Sequence, residues 1–244
     1  MSKRERADRL LVARGVFESR ARAQAAIEAG RVIADGRPIR KSSEKISTAA
    51  AIAAEPAYPY VSRGGTKLAA ALDNLSLDVA GRICLDVGAS TGGFTEVLLE
   101  RGARHVYAVD VGRSQLHARL RQHERVTSIE QTDIRNLEVV SHLPEQPDFT
   151  TIDVSFISLK LVMPCVDQLL KPGTIIVALI KPQFEANRRA VKKGIVRDNV
   201  VHTTICSDIA RFMRSLDWQV GSIIASPITG GDGNREFFIE ARRG

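Results

Sequence analysis

From Ser62 onward the sequence alternates between short apolar runs and stretches of helical periodicity, and this alternation limits the available folds more than any other feature. Strands are expected over Ile83–Val87, Val106–Val109, Val126–Glu130, Phe149–Ile152, Thr174–Ile180, Gln219–Ile224 and Glu236–Glu240. Helices are expected over Thr66–Leu75, Phe94–Arg101, Gln115–Arg121, Ser158–Leu170 and His202–Leu216. Strands separated by helices build βαβ units, so the expectation is an α/β fold, a Rossmann-like mostly parallel sheet. The longest apolar run, Thr174 to Ile180, is one strand long. A membrane helix needs about 18 such residues.

In sheets of this kind, ligands bind beyond the carboxyl ends of the strands. After the first expected strand comes Asp86-Val87-Gly88-Ala89-Ser90-Thr91-Gly92-Gly93-Phe94. A Gly-rich turn between strand and helix lets a cofactor approach the backbone. The dinucleotide fingerprint places a central glycine where a pyrophosphate touches the chain, and here Ser90 occupies that place. Asp110 ends the second strand, where a carboxylate can accept from both ribose hydroxyls. Asp133 and Ile134 follow the third, placed to meet an adenine. A ligand with an adenosine and an amino-acid tail, S-adenosylmethionine, fits this pattern. No phosphate-binding G-x-x-x-x-G-K-[ST] run occurs.

Net charge is distributed unevenly. Residues 1–46 hold 12 Lys/Arg against 6 Asp/Glu, and the remaining residues 23 against 22. A basic small domain ahead of a near-neutral large one suggests a polyanion-binding module. Within it, Asp8–Arg14 and Arg20–Ala29 read as helices, with Gly15 ending the first and Ser19 capping the second. Asp35-Gly36 suits a tight hairpin turn between Val32-Ile33 and Pro38-Ile39. Arg14, Arg20, Arg22, Arg31, Arg37, Arg40, Lys41 and, in the large domain, Arg63 supply the basic groups. Residues 47–60, rich in Ala and Pro, read as a linker, which divides the chain into 1–46, 47–60 and 61–244.

Polar residues close two expected strands: Asp153 the fourth and Lys181 the fifth. Lys67 and Glu236 are the further candidates for chemistry. Cys84, Cys165 and Cys206 show no CxxC spacing and are expected in the core, with a reducing cytoplasm as the setting. His105, His117, His123, His142 and His202 lack metal-ligand spacing, so no metal is expected, and Trp218 reads as core. Met1–Arg6 is charged with no apolar segment behind it, which does not read as a secretion signal.

The run from Asp8 through Leu11, Gly15, Ser19-Arg20, Ala23, Ile27, Gly30 and Val32 to Asp35-Gly36 resembles the S-four-type RNA-binding domain. The large domain resembles the FtsJ-type ribose 2′-O-methyltransferases. The runs carrying that resemblance are Ser62–Leu68, Asp86–Thr95, Asp153–Leu159, Ile180–Glu185 and Gly233–Phe237. The whole chain resembles the TlyA family, often labelled haemolysin or ribosomal RNA methyltransferase. The resemblance implies a Lys-Asp-Lys-Glu tetrad on Lys67, Asp153, Lys181 and Glu236, with S-adenosylmethionine as cofactor. It implies cytidine ribose in large-subunit RNA, in some members also small-subunit RNA, as the target. Separately, the chain is expected to act as a monomer. In this reading Lys181 takes the 2′-hydroxyl proton, Asp153 holds the lysine, and Lys67 and Glu236 position the ribose. Enzymes that methylate base nitrogens tend to carry Asp/Asn-Pro-Pro-aromatic where this chain has Asp153-Val-Ser-Phe156, without the prolines. An inert RNA-binding assembly factor and a membrane-lytic toxin are the remaining alternatives. The complete tetrad argues against the first, and the lack of a spanning segment against the second.

Overall fold

The computed structural model describes residues 3–136 and 143–244. The expectation for His142 lies outside the described residues. The chain forms two compact units, Met1–Pro59 and Tyr60–Gly244.

In the small unit, β1 (Arg4–Arg6) leads into α1 (Ala7–Ala13), and α2 (Arg20–Glu28) follows. Then come β2 (Val32–Ala34), β3 (Arg37–Pro38), β4 (Lys45–Ser47) and β5 (Ile52–Ala54). Ser19 caps α2 by accepting the Arg22 N–H at 3.3 Å, and Gly15 turns the chain after α1 with φ +68°. Asp35 and Gly36, both at positive φ, make the hairpin turn between β2 and β3. Leu10, Leu11, Phe17, Ala26, Ile27 and Val32 form the core. The linker expected over 47–60 is corrected here. Ile52–Ala54 pairs antiparallel with β2, and β4 pairs with β1, because the backbone groups of both strands find sheet partners within the small unit.

The large unit begins with α3 (Arg63–Asn74) and continues through β6 (Ile83–Val87), α4 (Gly93–Glu100), β7 (His105–Val109), α5 (Ala118–Arg121) and β8 (Val126–Ile129). After β9 (Phe149–Ile152) come α6 (Leu159–Asp167), β10 (Ile175–Ile180), α7 (Pro182–Glu185) and α8 (Asn199–Arg214). The antiparallel strands β11 (Trp218–Ala225) and β12 (Phe237–Arg243) complete it. The sheet order is β11-β12-β10-β9-β6-β7-β8. The strands from β10 to β8 run parallel, and β12 is inserted antiparallel between β10 and β11. Every residue of β10 is buried, as expected for an apolar strand covered on both faces. One face packs against α6 and α8 through Val162, Met163, Ile205 and Ile209. The other packs against α3 and α4 through Leu68, Leu72, Phe94 and Leu98. Trp218 is buried in the first of these layers and donates to the Asp167 carboxylate at 3.0 Å.

Of the cysteines, Cys84 and Cys206 are buried, whereas Cys165 is only half-buried, which corrects its assignment to the core. Burial pushes the Cys84 thiol up strongly and that of Cys206 up to about 11. Neither is poised as a thiolate.

Candidate active site

The carboxyl ends of β6, β7 and β9 open onto a cavity of about 390 Å³, within the range typical of small-molecule sites. Gly88, Ser90, Asp110, Asp133 and Ile134 line it, together with the apolar side chains of Val109, Val111, Ile157 and Val162. Gly88 has φ +84°, and a Cβ there would lie 2.6 Å from the Asp153 carbonyl oxygen. This position therefore requires glycine on both conformational and steric grounds. Ser90 also adopts a left-handed φ of 49°, and its N–H donates to Asp110 Oδ2 at 2.8 Å. Asp110 Oδ1 accepts from the Gly112 N–H at 2.6 Å. One carboxylate thus ties the loops after β6 and β7 together, and each oxygen has capacity for a further hydrogen bond. Asp133 is gripped by the Arg135 guanidinium at 2.6 Å, which holds its carboxyl below the usual range.

The other residues expected to contact a cofactor do not line this cavity. Asp86 is fully buried. Its oxygens accept from the hydroxyls of Thr95 at 2.6 Å and Thr151 at 3.0 Å. It braces α4 and β9 from beneath the turn, and this corrects the expectation of direct contact. Gly92, with φ +95°, leaves room for Leu116 and Leu120. Gly93 lies against Ser62 and the Gly65 backbone, and Phe94 packs beside Phe238. Thr91 faces solvent, and its carbonyl accepts from the His117 N–H at 3.2 Å.

Burial, reinforced by the charge of Asp153, pushes the Asp86 carboxyl up to about 7, against the pull of its two threonine hydrogen bonds. An acid raised from 3.8 in this way favours the fold fully below that value, and the contribution is lost as pH climbs through about 7. Asp86→Asn removes the titration. Its melting temperature relative to the parent is therefore expected to rise between pH 5 and pH 8.5. A difference that stays constant with pH would show that Asp86 ionises normally.

The four tetrad candidates form two ion pairs. Lys67 Nζ donates to Glu236 Oε2 at 2.6 Å, with both side chains buried. Lys181 Nζ lies 2.6 Å from Asp153 Oδ1 and donates to Ser155 Oγ at 2.8 Å. Asp153 and Ser155 both line the cavity, so the second pair stands on its rim. Local structure fixes each member. Ser62 caps α3 by accepting from the Gly64 N–H at 3.2 Å, and Tyr60 packs over the place a Gly65 side chain would fill. Lys67 is thereby carried toward the sheet on a helix packed closely on α4. Lys181 is the N-cap of α7, whose first residue is Pro182.

Several contributors were not expected from the sequence. Glu130 accepts the N–H groups of Ser114, Gln115 and Leu116, which pull its carboxyl down and pin the loop after β7 against the cavity. Glu185 accepts from the Ser158 hydroxyl at 2.5 Å and the Leu159 N–H at 2.7 Å, joining the segments after β9 and β10. Phe156 is 91% exposed on the cavity wall with φ +64°, its ring 5.0 Å from that of Phe184.

In the small unit, Ser19 and the arginines are mostly engaged. Asp8, fully buried, accepts from Arg6 at 3.0 Å, Arg20 at 2.8 Å and Gln24 at 2.9 Å. These guanidinium groups hold its carboxyl far below the ordinary range. Arg22 stacks over Tyr58, while Lys41 is exposed. Arg14 spends its guanidinium on the Ala50 and Thr48 carbonyls, each at 2.6 Å, and Arg31 pairs with Glu55 at 2.8 Å. These local contacts occupy both terminal nitrogens of Arg14 and one of Arg31. Arg63 is exposed at the start of α3 in the large unit. Among the described residues no cluster of three His, Cys, Asp or Glu could hold a metal. No helix there is long and apolar enough to cross a membrane.

The family model described as FtsJ-like methyltransferase matches residues 60–243, and that of the S4 domain matches residues 5–52. The chain therefore belongs to the FtsJ-like methyltransferases, in the form that carries an S4 domain ahead of the catalytic fold. Its relatives extend over nearly the whole chain and place it in the TlyA family. The Mycobacterium tuberculosis 16S/23S rRNA (cytidine-2′-O)-methyltransferase TlyA is 42% identical over 99% of this chain and 91% of its own. Bacillus subtilis YqxC is 46% identical over 98% of this chain and 85% of its own. A solved Streptococcus thermophilus structure carrying the name hemolysin superposes with a TM-score of 0.80 at 42% identity, covering 100% of this chain and 90% of that one.

Proposed function

We propose that the protein is an S-adenosylmethionine-dependent ribose 2′-O-methyltransferase acting on ribosomal RNA, with cytidine as the target nucleoside. The observation that carries this reading is the Lys181–Asp153 pair, held on the rim of a cavity whose floor admits only Gly88. The cavity suits S-adenosylmethionine: apolar walls for an adenine, Asp110 for ribose hydroxyls, and a turn without side chain at Gly88. When bound, this cofactor supplies a methyl group on a sulfonium centre.

A ribose hydroxyl is a weak nucleophile and needs a base. Lys181 is the residue placed to take the 2′-hydroxyl proton, leaving that oxygen to accept the methyl group that bound S-adenosylmethionine would supply. Asp153 and Ser155 hold the lysine nitrogen at the rim. Lys67 and Glu236, a buried ion pair, tie α3 to the start of β12, and in this reading they position the ribose through that junction. Phe156 offers an exposed ring on which the target base stacks. Holding two reactants in line can lower a barrier by on the order of 7 kcal/mol in ideal cases. The S4 unit, with Arg20, Arg22 and Lys41 on its surface, binds structured RNA through phosphates and shape.

The test is mass-spectrometric mapping of methyl groups in ribosomal RNA from cells with and without the protein. The expected result is a cytidine methyl that depends on the protein and blocks alkaline cleavage at its own nucleotide. A methyl group that leaves the alkaline ladder intact would reassign the enzyme to base chemistry.

A further inference from the structure

The segment between α7 and α8 carries five cations, Arg188, Arg189, Lys192, Lys193 and Arg197, with no Asp or Glu from Ala186 to Arg197. All five are exposed. Among the described residues no carboxylate pairs with any of them. The neighbouring acids are committed elsewhere, Glu185 to Ser158 and Leu159, and Asp198 to the Val200 N–H. Five like charges without counter-ions repel one another and favour solution over the protein surface. Nevertheless the segment is built. Lys192 and Ile195 form a β-bridge, and Lys193 and Gly194 make the turn, both at positive φ.

Two buried polar side chains anchor this hairpin. Asn234, 1% exposed, accepts from the Val196 N–H at 3.0 Å and donates to the Gly194 carbonyl at 2.9 Å. His202, on α8, donates from Nε2 to the Val196 carbonyl at 3.0 Å. The Asn234 carbonyl accepts from the Gly230 N–H at 2.8 Å, closing the turn that presents Glu236 to Lys67. A fixed basic ridge is thus fastened to the same turn as the buried ion pair.

We infer that this hairpin is a second RNA-docking element, gripping the phosphate backbone beside the target nucleotide, and that Asn234 is the positioning residue that sets it relative to the catalytic pairs. The inference rests on the ribosomal RNA reading above. Unpaired guanidinium and ammonium groups on a rigid ridge match a polyanion, and they steer it to the active site without involving the S4 unit.

The test uses the full-length chain, deproteinised ribosomal RNA and tritiated S-adenosylmethionine. One variant carries Arg188→Ala, Arg189→Ala, Lys192→Ala and Lys193→Ala. A control loses the same charge through Arg121→Ala, Arg211→Ala, Arg214→Ala and Arg242→Ala. The hairpin variant is expected to bind RNA about tenfold more weakly, with its salt dependence flattened by about 0.7–0.9 in log–log slope for each phosphate it no longer neutralises. Its KM for RNA rises, while its KM for S-adenosylmethionine and the control variant's behaviour stay at parental values. Asn234→Ala, with every charge kept, also raises the KM for RNA alone. An unchanged slope and KM in the hairpin variant, or an equal loss in the control, overturns the inference. Should the parent transfer no methyl to ribosomal RNA, the proposed function fails, and the binding slopes still decide the hairpin.

Discussion

Lys181→Ala is expected to reduce methyl transfer to ribosomal RNA by about 10³-fold or more, the scale of a lost general base, while S-adenosylmethionine binds within a few-fold of normal. The separation follows from geometry. Lys181 stands at the cavity rim against Asp153 and Ser155, whereas the residues proposed to face the adenosine, Asp110, Asp133 and Ile134, belong to the loops after β7 and β8. Removing the amine deletes the proposed proton acceptor and leaves the cavity floor at Gly88 intact. Single-turnover transfer of a tritiated methyl and calorimetric binding measure the two effects independently. Turnover within tenfold of the parent would remove Lys181 from the chemistry. Loss of cofactor binding alongside turnover would make it a structural residue.

The second large effect concerns Lys67 and Glu236. Both lie in the interior, 9% and 3% exposed, with 2.6 Å between nitrogen and oxygen. Breaking a buried ion pair from one side strands a charge and costs about 3–5 kcal/mol, whereas replacing both partners with apolar groups of similar size is often close to neutral. Lys67→Met and Glu236→Leu are each expected to destabilise the large unit by that amount, and the double variant to recover most of it. Trp218, the only tryptophan and buried in this unit, reports the transition by fluorescence in urea. Methyl transfer should stay low, by about 10²-fold or more, in all three. A stable double variant with restored activity would mean that the pair serves only folding.

These two outcomes bear on how far a sequence can be read. The ends of β6 and β9 were legible because a polar residue interrupts or follows an apolar run, at Asp86 and at Asp153. The use of Asp86 was not. Alternation along β6 turns its side chain into the protein, where hydroxyls from Thr95 and Thr151 meet it, and neither partner leaves a local trace. Likewise the expected helix Gln115–Arg121 forms only from Ala118. The Gln115 and Leu116 amides are taken by Glu130, fifteen and fourteen residues further along the chain. Strand β5 was hidden in an Ala-rich stretch whose pairing with β2 is a tertiary event. Asp153, Lys181 and Glu236 were visible as charges at strand ends or beside them, and Lys67 as a charge near the start of a helix. Their division into two pairs depends on how α3 and β12 meet the parallel strands, which spacing does not encode. The anchoring of the basic hairpin by Asn234 and His202 is non-local in the same way.

The insertion of β12 between β10 and β11 has a consequence for biosynthesis. A ribosome delivers β10 and β11 before the strand that must separate them, so the sheet cannot be finished in the order in which it is made. Until residues 236–243 emerge, Lys67 has no carboxylate partner, and β10 offers an open edge. Such a nascent chain is penalised twice, by a stranded ammonium and by unsatisfied main-chain groups. Copies that stop short of residue 236 therefore lack both the carboxylate that pairs with Lys67 and the strand that covers β10.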